Sequence, residues 1–191
     1  MELYGFKNFD ELLAFHCSPV LAGIKPSNLI SLPNSDSEEI DTLLFAYNQQ
    51  FKERGIVFRR LCACSKRSLL FVYNSKALQE LLSDPGYRAY LIAAGYEQKA
   101  ALDEDLKLLE DHLQTGKGFP HEIGVFLGYP LEDVLGFIIH NGNNCKYSGY
   151  WKVYGDVSKA QKIFAAYESC RDYTLQKLAE GLPLHMAAVA I

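Results

Sequence analysis

Apolar residues recur at helical spacing from Ile40 through Leu43, Leu44 and Tyr47 to Phe51, and Gly55 ends the run. Ser35 with Glu38 in front of it fits a capping box, so this stretch is expected to be the clearest amphipathic helix of the chain. A first helix is expected over 6–15, with Phe6, Phe9, Leu12, Leu13 and Phe15 near one side. Ser18-Pro19 then offers a fresh helix start that Gly23 stops early. Residues 28–32 read as a short strand closed by Pro33. Residues 56–64 and 68–73 are rich in β-branched and aromatic side chains with a few polar residues between them, the pattern of a hairpin.

From there to Gly142 the punctuation is helical. Helices are expected over 75–82, from Asp84-Pro85 to Ala94 with Gly95 beyond, and over 103–114 with Gly116 beyond. Two short ones, 120–127 and 131–139, are hinged at Gly128-Tyr129-Pro130. Residues 150–154 form a strand by composition between Gly149 and Gly155. Asp156 caps a helix carrying Ala160, Ile163, Phe164 and Tyr167, and another helical segment covers 173–179. The pattern does not repeat as βαβ units. It predicts an α+β fold: a small mixed sheet of about four strands, including the hairpin, flanked by about eight helical segments. No linker divides the chain, so 1–191 is expected to be one domain, with the apolar tail 181–191 docked or frayed.

Composition narrows the partners. The 191 residues are 49% hydrophobic and 22% charged, which suits one packed core. A net charge of -4 argues against nucleic acid, whose phosphates call for a basic surface. Glu2, Lys7, Asn8 and Asp10 interrupt the first ten residues, so no signal-peptide core is present, and no apolar run is long enough to span a membrane. A cytoplasmic location away from membranes is expected. The five cysteines are therefore thiols by default, packed as small hydrophobes.

Three stretches are distinctive. Residues 16–29 read His-Cys-Ser-Pro-Val-Leu-Ala-Gly-Ile-Lys-Pro-Ser-Asn-Leu. Residues 121–134 read His-Glu-Ile-Gly-Val-Phe-Leu-Gly-Tyr-Pro-Leu-Glu-Asp-Val, and 149–156 read Gly-Tyr-Trp-Lys-Val-Tyr-Gly-Asp. Together they resemble an uncharacterised bacterial family, domain of unknown function thirty-seven ninety-three, over nearly the whole chain. The resemblance implies a cytoplasmic bacterial protein with a link to redox or metal homeostasis. It supplies no activity and no catalytic residues.

Each stretch carries candidate chemistry. Cys17 stands just before the expected helix start at Ser18-Pro19, where free amides and the helix dipole would lower a thiol pKa, with Lys25 adding to the effect. Burial beside Phe15 and Val20 is the rival account. His121 is the candidate base for a Cys17–His121 dyad, with His16 nearby in sequence to the thiol. His121 and Glu122, as helix neighbours, project about 100° apart and make a poor acid–base pair. Gly116-Lys117-Gly118 before Pro120 suits an anion held on free amides, although the phosphate-loop spacing is missing. In 150–154, Trp151 and Val153 alternate with Tyr150, Lys152 and Tyr154, so one face can enter the core while the other meets a planar or anionic ligand.

The remaining polar clusters carry plainer expectations. Cys62 and Cys64 lie about 7 Å apart on a strand, too far for an easy disulfide and without zinc-ligand spacing, so no metal site is assigned. His112 and the acidic residues Asp103, Glu104, Asp105, Glu110 and Asp111 read as a water-facing helix side, and His140 as a helix C-terminal cation.

The expected function is binding of a small molecule or anion in a pocket built from the Cys17, His121 and Trp151 stretches, with ligand contacts from His16, Lys25, Lys117, Glu122, Tyr150, Trp151 and Lys152. One alternative is a thiol-dependent enzyme using Cys17. Another is an interaction module that docks a flavoprotein or other protein partner. No cofactor is identified.

Overall fold

A computed structural model describes residues 5–33, 37–63, 67–114 and 119–189. In chain order its elements are α1 (Phe9–Leu21), β1 (Ser27–Pro33), α2 (Ser37–Gln50), β2 (Ile56–Ala63), β3 (Arg67–Asn74), α3 (Ser75–Ser83), α4 (Pro85–Ala93) and α5 (Leu102–Gln114). They continue with α6 (Ile123–Phe126), α7 (Leu131–Ile139), β4 (Tyr147–Ser148), β5 (Lys152–Val153), α8 (Val157–Ala179) and α9 (Leu184–Ala187). The fold is α+β, as the pattern predicts. Backbone contacts gather it into two compact units, one from residues up to Leu78 together with those from Ser169 onward, the other from Gln79 to Glu168.

In the first unit β1, β3 and β2 form an antiparallel sheet in that order, with Phe58 opposite Val72 and Ile30 opposite Leu70. The β2–β3 pair is the expected hairpin. Ile30, Leu32, Ile56, Phe58, Leu70 and Val72 turn one face of the sheet into a core shared with Leu12, Leu13 and Val20 of α1 and with Ile40 and Leu44 of α2. The capping box at Ser35 and Glu38 falls outside what is described. The tail docks: Leu184, Ala187 and Ala188 are buried, and the Arg54 guanidinium donates to the carbonyls of His185 (3.0 Å), Ala188 (2.7 Å) and Leu21. One cation thus satisfies carbonyls that a short tail helix leaves open.

Two helix boundaries differ from expectation. Residues 9–21 are one helix, with Asn8 as its N-cap through a 2.9 Å bond from the Glu11 amide, and Pro19 sits inside its last turns. The proline has no amide to give the Phe15 carbonyl four residues back, and separately the Ser18 hydroxyl bonds the Ala14 carbonyl. Likewise, 157–179 is a single helix where two segments are expected, because nothing between Ser169 and Tyr173 breaks the helical bonding.

The second unit holds α4 to α7, the β4–β5 ribbon and the first part of α8. Asp84 caps α4 by accepting from the Gly86 amide at 2.9 Å, as its sequence predicts. Asp105 corrects the water-facing reading of α5: it is buried and forms a bidentate pair with Arg88 at 2.6 and 3.0 Å. Arg88 also donates to the carbonyls of Leu82 and Glu97, so the buried charge is well satisfied. The predicted strand at 150–154 pairs only at Lys152–Val153, with Tyr147–Ser148, and makes a separate ribbon rather than a fourth strand of the sheet. Trp151, Val153, Ala160, Phe164 and Tyr167 form its core. Among the described residues no helix is long and apolar enough to cross a membrane.

Close approach of α7 to the ribbon depends on Gly136, where a Cβ would lie 2.5 Å from both Cβ and Cγ of Tyr154. These are not the far end of a flexible chain, so the backbone must move. Gly136→Ala is expected to lower stability by about 2 kcal/mol despite the better helix propensity of alanine, read as a lower urea midpoint of the Trp151 fluorescence transition.

Candidate functional site

The second unit contains a cavity of about 500 Å³ lined by Phe119, Pro120, His121, Ile123, Gly124, Tyr129, Asp133, Val134, Phe137, Trp151 and Lys152. Its position follows from three local features. Gly128, at φ 75°, ends α6 in a left-handed turn, and Pro130 starts α7, so Tyr129 is held between two short helices. Gly124 lets them close, since a Cβ there would come within 3.0 Å of Val134 and 3.3 Å of Tyr129. The ribbon supplies Trp151, which stacks on Tyr129 with ring centroids 5.1 Å apart and meets Phe164 edge-on at 4.4 Å.

Asp133 fixes the ribbon to α7. One carboxylate oxygen accepts from the Trp151 indole N–H at 2.7 Å, and the other accepts from the amides of Tyr154 (2.7 Å) and Gly155 (2.8 Å). At 3% exposure the carboxylate faces the cavity as a satisfied group and is poorly placed to act as an acid or base. Elsewhere in the lining, the His121 and Phe137 rings have centroids 5.8 Å apart, and the Lys152 Nζ lies 5.8 Å from the Phe137 centroid. That ammonium donates to the Gly142 carbonyl at 2.6 Å, in a turn where Gly142 has φ 73°.

The sequence-predicted residues separate into groups. His121, Trp151 and Lys152 line this cavity, so of the three distinctive stretches the second and third meet there. Glu122 does not join them: it is buried and its carboxylate meets His112 Nδ1 at 2.6 Å, while the His112 and Tyr96 rings meet edge-on with centroids 5.7 Å apart. His112 is thus a partner of Glu122, a correction to its solvated reading. Tyr150 lines a second concavity with Tyr147, Gly149, Phe164 and Glu168. Lys117 lies outside the described residues. Cys17, His16 and Lys25 belong to the first unit, and none lines the cavity of the second.

Cys17 differs most from expectation. It does not precede a helix N-terminus; it lies inside α1, fully buried in the core of the first unit, and desolvation pushes its thiol up to about 12. Lys25 and Asn28 act to lower it, but burial outweighs them, so Cys17 offers no ready thiolate for the expected Cys17–His121 dyad. Lys25 is also buried; its ammonium bonds Asn28 Oδ1 at 2.6 Å while the Asn28 amide donates to the His16 carbonyl at 2.7 Å. Burial lowers the Lys25 pKa to about 8. His16 itself is exposed, with its ring edge-on to Phe6 and Phe15.

Sequence reasoning missed Phe119, Tyr129, Asp133 and Phe137 as site residues. Asp133 was within reach, as it lies in the second distinctive stretch, but nothing in the acidic pair Glu132-Asp133 after Pro130 says which carboxylate points at an indole. Among the described residues no three His, Cys, Asp or Glu side chains gather as a metal cluster.

A family model described as Protein of unknown function (DUF3793) matches residues 13–187. The chain belongs to this family. No curated protein and no solved structure matches it. The match covers every cavity-lining residue of the DUF3793 chain, from Phe119 to Lys152, and also the buried Cys17–Lys25 segment.

Two predictions follow from these contacts. Asp133→Asn keeps the shape but turns an N–H donor toward N–H donors; it is expected to lower stability by about 2–4 kcal/mol and to shift Trp151 emission to the red. For Lys25 the folded pKa, about 8, lies below its ordinary 10.5, so the unfolded chain holds more protons between these values and stability rises with pH across that window. Cys17 acts in the opposite sense above pH 9, its ordinary value. Urea unfolding followed by circular dichroism should therefore show the stability of wild type relative to Lys25→Met rising from about pH 8 to pH 10.5, Cys17 being common to both proteins.

Proposed function

We propose that this protein binds a small molecule with a flat, mainly apolar body in the cavity of its second unit. The observation that carries this reading is the concave aromatic and aliphatic lining around a volume of about 500 Å³, within the range of cavities that hold metabolite-sized ligands. Tyr129 and Trp151 are already stacked and pinned by Asp133, so a ligand meets a prepared wall and little ordering entropy is lost on binding. A link to redox or metal homeostasis rests on the family resemblance alone. The thiol-enzyme alternative loses support from a Cys17 sulfur with no exposure.

Trp151 is the only tryptophan, so the site contains its own fluorophore. Titration with N-phenylnaphthylamine, a neutral apolar dye, is expected to give saturable energy transfer from Trp151 with one dye per chain. Phe137→Ala removes part of the wall at a half-exposed position and should weaken the dye about fivefold or more. Linear, unsaturable binding, or equal affinity in the variant, would rule the cavity out as the site.

A further inference from the structure

Resting on that reading, we infer that the ligand is an acid: a flat apolar body whose carboxylate, or an anion of similar size, is received by Lys152 at the rim. The two nitrogen groups converge on one ring. His121 stands 5.8 Å from Phe137, and the Lys152 ammonium stands 5.8 Å from the same ring, both as part of the cavity lining. The Gly142 carbonyl holds that ammonium through one N–H, at 2.6 Å, which leaves two of its three donors for a ligand. Among the described residues no carboxylate pairs with it. A cation fixed in position without a counter-ion, next to an apolar wall, is a ready partner for an anion.

The opposite assignment, a cation in an aromatic box with Asp133 as counter-charge, fits the geometry less well. Both Asp133 oxygens are engaged by three N–H donors, so its charge is already compensated where it sits. Tyr129 and Trp151 stack on each other, and Phe137 already lies beside the Lys152 ammonium. These rings do not surround an empty cationic position. With its donors spent on Asp133, the deep end of the cavity offers an anion no free N–H, which puts the acid group at the Lys152 end and the apolar body toward Val134 and Trp151.

The test compares naphthoate, naphthamide and naphthylmethylammonium, which share one ring system and differ in charge, each by displacement of N-phenylnaphthylamine. Naphthoate is expected to bind about two- to fivefold more tightly than the amide, the range for an exposed charge contact. Lys152→Met should abolish that preference, read as the ratio of acid to amide affinity within each protein, and Lys152→Arg should restore it. Lys152 is exposed, so neither substitution threatens folding. Equal binding of acid and amide, or a preference for the ammonium, overturns the anion assignment while the cavity reading stands. Failure of all three to displace the dye overturns both.

Discussion

The Asp133 carboxylate is the contact on which the second unit depends. It collects an indole N–H and two backbone amides from a ribbon whose own pairing amounts to two residues on each strand. So short a ribbon is not stable by itself. Charge-assisted bonds to a buried acceptor give it a fixed place on α7, and the Trp151 ring is thereby held against Tyr129. Glycines permit the same approach from both sides: Gly136 makes room for Tyr154, and a Cβ on Gly155 would lie 2.2 Å from the Glu132 carboxyl. The wall of the cavity is a product of this packing.

Charge is distributed in the site by the same constraint. Because Asp133 is spent on holding the ribbon, the cavity has an apolar interior and nitrogen groups at its rim. The first unit treats its ionisable groups differently. Lys25 and Cys17 are buried away from solvent, and desolvation moves each toward its neutral form, the amine pKa down and the thiol pKa up. A cysteine beside a lysine therefore reads as core packing here. Lys152 instead faces the cavity of the second unit, its ammonium over the Phe137 ring and held by the Gly142 carbonyl.

Much of the fold was legible because it is written in local chemistry. Helix punctuation at Asp84-Pro85, Gly128, Pro130 and Asp156 sets real boundaries, and the β2–β3 hairpin and the alternation of Trp151 and Val153 with Lys152 follow from side-chain periodicity. Errors came where a local signal was outweighed. Ser18-Pro19 looks like a start, yet the helix is already under way from its Asn8 cap and carries the proline near its end. The acidic face of α5 looks uniform, yet Arg88, seventeen positions away from Asp105 in sequence, draws that one carboxylate inside. The boundaries of the two units fall within α3 and α8, so no change of composition marks them.

By itself the sequence determined the α+β class, most helix ends, the family and the membership of His121, Trp151 and Lys152 in distinctive stretches. Only the tertiary structure decided that these three share a cavity, that Glu122 turns away to His112, and that Cys17 is sealed in a core. The physical reason is that helix and turn preferences act over a few residues, whereas burial and hydrogen-bond partnership depend on what the chain brings back from far along its length. An indole that reaches a carboxylate eighteen residues away, and a thiol enclosed by another element's side chains, are facts about packing.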